Sequence, residues 1–88
     1  MKKLLVKYKL VYTKNAFKDI KKLDPVVKKR IKKKVEFYSQ KPVIYGKRLL
    51  KRFLGCYNWR IGNYRIIFDI KGKNIIILRI GHRKEVYK

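Results

Sequence analysis

Residues 56–70 read CYNWRIGNYRIIFDI, and the dipeptide at their centre, Gly62-Asn63, decides the fold. Runs rich in β-branched and aromatic residues flank it on both sides. A two-residue loop with glycine first is the signature of a type II′ turn, whose twist suits a hairpin. That turn predicts a register. Ile61 faces Tyr64, Arg60 faces Arg65, Trp59 faces Ile66, Asn58 faces Ile67 and Tyr57 faces Phe68. Directly paired residues share a face, and faces alternate along a strand. One face therefore carries Tyr57, Trp59, Ile61, Tyr64, Ile66, Phe68 and Ile70, and is made for a core. The other carries Cys56, Asn58, Arg60, Arg65, Ile67 and Asp69. Two arginines lie opposite each other on that second face. Like charges in that position destabilise a sheet. Either both side chains splay into water, or an anion between them turns the repulsion into a bidentate clamp.

Working outward from the hairpin, residues 4–12 alternate. Leu4, Val6, Tyr8, Leu10 and Tyr12 oppose Lys7, Lys9 and Val11, the pattern of a half-buried strand. Thr13 is placed as an N-cap for a short helix over residues 14–22, with Ala16, Phe17, Ile20 and Leu23 on its apolar face. Asp24-Pro25 starts a second helix that runs to about Ser39, with Asp24 as N-cap and Pro25 at the first helical position. Val27, Ile31, Val35 and Tyr38 form its apolar stripe. Lys28, Lys29, Lys32, Lys33 and Lys34 cover the rest. So short a connection makes an antiparallel helical hairpin. Residues 43–55 read as a loop with a single turn of helix at most. Residues 71–74 form the next turn, and residues 75–80 a third strand of the meander. Continued pairing would put Ile76, Leu78 and Ile80 on the core face, and Ile77, Arg79 and Gly81 on the arginine face. The prediction is a single α+β domain over residues 1–88. It has an N-terminal strand, a two-helix antiparallel hairpin and a C-terminal antiparallel meander, folded as a small twisted sheet with the helices on one face.

The chain has 27 Lys and Arg against 5 Asp and Glu, a net charge of +22. That is far above the roughly 2–8 usual for a small domain. The surplus calls for a polyanionic partner, an acidic protein partner, or both, with nucleic acid first. The single cysteine, Cys56, excludes an internal disulfide and fits a reducing compartment, hence the cytoplasm. No uncharged stretch approaches the 18 or so residues of a membrane span, so no membrane partner is expected. Lys7 and Lys9 interrupt the N-terminal apolar run, which reads as a strand rather than a leader.

If the last strand runs on in register, Arg83 and Tyr87 join Arg60 and Arg65 on one surface. Arginines clamp phosphate and carry no proton chemistry at neutral pH. A tyrosine beside cations can move a proton. Together they suit cleavage of an RNA phosphodiester by its own 2′-hydroxyl, without a metal. A basic face that merely binds polyanions is the plain alternative. Metal-dependent nuclease chemistry needs clustered carboxylates. The acids here are Asp19, Asp24, Glu36, Asp69 and Glu85, of which two read as helix-surface residues and one as a cap. No metal or small-molecule cofactor is called for. His82 points away from the arginine face by parity, yet beside Arg83 it stays a candidate acid or base, as does Glu85. The exposed lysines of the second helix, Lys28, Lys29, Lys32 and Lys33, offer a salt-sensitive contact with RNA.

The run GNYRIIF and the tail GHRKEVY, set in this order of elements, closely resemble the RelE/ParE toxin superfamily over nearly the whole chain. The RelE branch consists of ribosome-dependent endoribonucleases that cut mRNA in the A site. A co-expressed antitoxin neutralises them. The resemblance implies an acidic antitoxin, the ribosome and mRNA as partners. It implies that Arg65 stabilises the scissile phosphate and that Arg83 is a second catalytic arginine. Tyr87 stands where some members carry a general base, and Arg60 replaces one of two basic residues on the preceding strand. Asn58 replaces the other and departs from the pattern. Lys51 or Arg52 would then reach in from the loop. The ParE branch shares the scaffold, poisons DNA gyrase and lacks this catalytic set. A gyrase poison, or an inert antitoxin- or RNA-binding protein of the same fold, is the alternative.

Overall fold

The computed structural model describes residues 8–42, 47–48, 57–82 and 84, the pair 47–48 by backbone alone. In chain order the elements are β1 (Lys9–Tyr12), α1 (Lys14–Lys21), α2 (Pro25–Tyr38), β2 (Lys47–Arg48), β3 (Tyr57–Ile61), β4 (Tyr64–Lys71) and β5 (Asn74–His82). They build the expected α+β fold, with one five-stranded sheet in the order β1-β5-β4-β3-β2. Only the β1–β5 pair among these is parallel.

The central hairpin has the register set by its turn, from Tyr57 opposite Phe68 to Ile61 opposite Tyr64. Gly62 has φ +61°, and no described non-glycine residue has a positive φ, as a type II′ turn requires. Gly72 repeats this at φ +60° between β4 and β5.

The helices lie on one face. Ala16 of α1 and Ile31 and Val35 of α2 join Trp59, Ile61, Ile66, Phe68, Ile75, Ile77 and Ile80 in one buried cluster. Trp59 packs against Phe68, ring centroids 4.1 Å apart and planes tilted by 32°, and donates its indole N–H to the Pro42 carbonyl at 3.3 Å. A buried tryptophan needs such a partner for its one polar atom. The stripe of α2 is as expected, with Val27 and Tyr38 half-buried at its ends. Thr13 caps α1 by accepting from Ala16 N at 3.1 Å. Asp24 holds the N-cap position of α2, but makes no side-chain cap bond. Its carbonyl accepts from Lys28 N instead.

Three expectations are corrected. Residues 47–48 form a short edge strand on β3, not a loop or helical turn. Phe17 is 57% exposed. Its place toward the sheet is taken by Asp19. Leu78 and Ile76 are not core residues, and Ile77 and Ile75 are. The cause is a β-bulge. Ile67 pairs with Arg79 but Phe68 pairs with Ile77, so Leu78 is an extra residue and parity switches across it. Thr13 fixes the bulge, its N–H donating to Ile77 O at 3.1 Å and its hydroxyl to Leu78 O at 3.1 Å.

Candidate nucleic-acid interface

The bulge leaves the upper end of β5 in the expected register. Gly81 faces Arg65, and His82 faces Tyr64. Across the hairpin Arg60 and Arg65 are direct partners. Arg60 is exposed and Arg65 half-buried. Arg65 Nη1 donates to the turn carbonyls of Tyr64 at 3.2 Å and Gly62 at 3.4 Å. The second of these is long and weak. Neither arginine has a carboxylate partner among the described residues, whose one ion pair is Arg79–Asp19. Beneath the arginines the face is closed by Asn58 and Ile67, both buried, with Ile67 outside the main core cluster.

Arg30 reaches the same turn from α2. Its Nη2 lies 3.1 Å from the point that a Cβ on Gly62 would occupy. Sequence reasoning missed this contact, because Arg30 sits among five lysines of α2 and nothing local sets it apart.

Asp19 was also missed as a structural residue. It is buried, accepts from Arg79 Nε at 2.8 Å and Nη2 at 3.2 Å, and accepts from Ile80 N at 2.9 Å. This corrects the reading of Asp19 as a helix-surface acid. It also corrects Arg79, whose guanidinium is spent on Asp19 although its strand position belongs to the arginine face. The bond to Asp19, chiefly, raises the Arg79 pKa above its ordinary value. The available signal was a carboxylate set between Ala16 and Leu23 on the apolar stripe of α1.

His82 lies away from the arginine face, as parity expects. Its ring meets Tyr64 edge-on at 5.9 Å, and its Nδ1 accepts a long 3.5 Å bond from Lys84 N. Lys28, Lys29, Lys32 and Lys33 are exposed on the helix layer, across the sheet from the paired arginines. Lys28 and Lys32 flank an apolar groove of about 190 Å³ walled by Tyr12, Ile20, Leu23, Ile31, Val35 and Ile80. Burial there, followed by the Glu36 charge, pushes the Tyr12 phenol up from its ordinary value. Arg83, Glu85, Tyr87, Lys51, Arg52 and Cys56 lie outside the described residues. No described helix is long and apolar enough to cross a membrane. The described face can therefore bind and polarise an anion of phosphate type, through guanidinium groups that no carboxylate among the described residues neutralises.

Residues 10–87 match the family described as ParE toxin of type II toxin-antitoxin system, parDE. The chain is 34% identical over 83 residues to Toxin RelE3 of Methanocaldococcus jannaschii, covering 90% of this chain and 94% of that protein. It is 31% identical over 87 residues to Toxin RelG of Mycobacterium tuberculosis, covering 92% and 97%. A solved structure, the toxin–antitoxin complex RelBE2 from Mycobacterium tuberculosis, superposes with a TM-score of 0.76 at 30% identity, covering 89% of this chain and all of that one.

Proposed function

The chain belongs to the ParE toxin family of type II toxin–antitoxin systems, within the RelE/ParE superfamily, and we propose that it is a ribosome-dependent, metal-independent endoribonuclease that cuts mRNA in the A site. The carrying observation is the couple of opposed arginines, Arg60 and Arg65, which have no carboxylate partner among the described residues. The names of the relatives, RelE3 and RelG, support the RelE reading over gyrase poisoning.

The 2′-oxygen of one nucleotide attacks the adjacent phosphorus and the bond to the 5′-oxygen breaks. The products are a 2′,3′-cyclic phosphate and a 5′-hydroxyl. Arg65 and Arg60 hold the non-bridging oxygens and stabilise the charge that grows on them. On the family resemblance, Tyr87 takes the 2′-hydroxyl proton and Arg83 is a second catalytic cation, stabilising charge or protonating the departing 5′-oxygen, with Glu85 and His82 as the other acid–base groups in reach by sequence to supply that proton. His82 sits on the far side of the sheet from the arginines, which favours Tyr87. Lys51 and Arg52 supplement Arg60 where Asn58 has no charge to offer.

An acidic antitoxin is the protein partner. The RelBE2 structure is a toxin–antitoxin complex, and a net charge of +22 needs an acidic counterpart. Its carboxylate beside Arg65 would stand in for the scissile phosphate. The test is induction of the protein alone in a bacterial host, with primer extension on translated messages. Codon-positioned cuts are expected. DNA breaks with intact messages would overturn the reading in favour of gyrase poisoning.

A further inference from the structure

Arg30 takes no part in the reaction above. It leaves α2 beside the buried Ile31 and comes down on the β3–β4 turn, with Nη2 3.1 Å and Cζ 3.8 Å from the Cβ position of Gly62. Arg65 Nη1 donates to the carbonyl of that same Gly62. Two guanidinium groups thus bracket one glycine, and neither has an acid beside it among the described residues. Glycine at 62 serves twice. It takes φ +61°, and it leaves bare backbone under the Arg30 guanidinium. Repulsion alone would drive two long, flexible cations apart in water, so an arrangement that gathers them is suited to a polyanion whose separate phosphates neutralise each of them. Behind Arg30 the charge continues. Lys33 and Lys34 follow it at three and four residues on the same exposed face of α2. Basic residues therefore stand at each step from Arg60 and Arg65, across the turn, to Arg30 and up the helix.

We propose that Arg30 binds a backbone phosphate of single-stranded RNA, away from the cleaved bond, where the strand crosses the Gly62-Asn63 turn from the arginine face onto α2. This rests on the RNA reading above and adds a second phosphate site to it. The contact is to phosphate alone and reads no base, so it sets affinity and path, not codon choice.

The test is binding of a fluorescent single-stranded RNA with 2′-O-methyl riboses, which cannot be cut, across a salt series. Each phosphate contact on a single strand contributes about 0.7 to the slope of log affinity against log salt. Arg30→Gln is expected to lower that slope by about 0.7 and affinity at 0.1 M salt by about fivefold. Arg30→Lys should keep the slope, since it keeps the charge. Lys18→Gln, on exposed α1, removes the same charge elsewhere and should leave the slope as it was. An unchanged slope in Arg30→Gln, or an equal fall in Lys18→Gln, overturns the proposal. Cleavage and binding separate the two readings. A protein that never cuts messages but shows the Arg30-dependent slope loses the reaction and keeps this site. A protein with no salt-dependent RNA binding loses both.

Discussion

Arg79 turns its guanidinium over the edge of the sheet to Asp19, Nε 2.8 Å from Oδ2 and Nη2 3.2 Å from Oδ1. The pair forms where β1 has ended and β5 goes on without a neighbour. An edge strand leaves backbone groups unpaired, and here side chains take them up. Asp19 accepts from Ile80 N, and Thr13 donates to Leu78 O.

Removal of the carboxylate leaves a buried N–H without an acceptor and frees Arg79. Asp19→Ala should cost about 2–3 kcal/mol. Arg79→Ala should cost less, because Arg79 is 41% exposed and Asp19 keeps its bond to Ile80 N. Urea unfolding of the two variants checks the order. Equal costs would mean that the ion pair, not the edge bond, carries the stabilisation.

The bulge makes a prediction about the core. Ile77→Ala should cost about 2–5 kcal/mol and Trp59→Ala about 3–5 kcal/mol, since both are fully buried. Leu78→Ala should cost clearly less than either, because Leu78 is only half-buried. A Leu78→Ala cost equal to that of Ile77→Ala would restore the unbulged register.

Both turns depend on glycine. Gly62→Ala and Gly72→Ala each force a side chain into the left-handed region, at about 1–2 kcal/mol. At Gly72 nothing lies within 4 Å of the new Cβ, so strain is the whole cost. At Gly62 the Cβ meets Arg30 Nη2, the free end of a flexible chain, which gives way. The melting shifts should therefore match. A much larger shift at Gly62 would show that Arg30 is held rigidly on the turn.

For the reaction, Arg65→Ala should abolish mRNA cleavage and keep the fold, since its bonds are to turn carbonyls alone. Tyr87→Phe should slow cleavage by about 10²–10⁴-fold, and cleavage should persist in EDTA on ribosomes stabilised by other means. Full activity in Tyr87→Phe would move the base to Glu85 or His82.

Burial favours the protonated Tyr12 phenol in the fold, its pKa standing above the ordinary 10.0. That share of stability is present below pH 10.0 and is lost as pH rises through the folded value. Unfolding free energy measured from pH 9 to about 11 should fall more steeply in the wild type than in Tyr12→Phe. Equal slopes would show that the phenol ionises freely in the fold.

The hairpin was legible because two residues, Gly62 and Asn63, determine its whole register locally. The paired arginines came with it. The lower half of β5 was not, for two reasons. Residues 75–78 are Ile-Ile-Ile-Leu, so no polar alternation marks the inward side. The bulge that chooses is held by Thr13, 65 residues before Leu78. Phe17 and Asp19 exchanged roles because hydrophobicity alone ranks the phenylalanine inward, whereas the open edge of β5 needs an acceptor. Arg30 escaped notice because its neighbour is a turn of another element.

The parallel β1–β5 pair, Lys9 opposite Asn74 through Tyr12 opposite Ile77, has a consequence for the order of folding. The meander closes through two-residue turns at Gly62 and Gly72, at little entropic cost. β1 can join only by closing a loop of some sixty residues, the most expensive closure in the sheet. It is expected to dock last, with α1 coming along through Thr13 and Asp19. The same seam opens first under strain, so amides of β1 should exchange hydrogen well before those of β4. A chain unzipped there has lost its first strand and its edge clamp, while the arginine hairpin still stands.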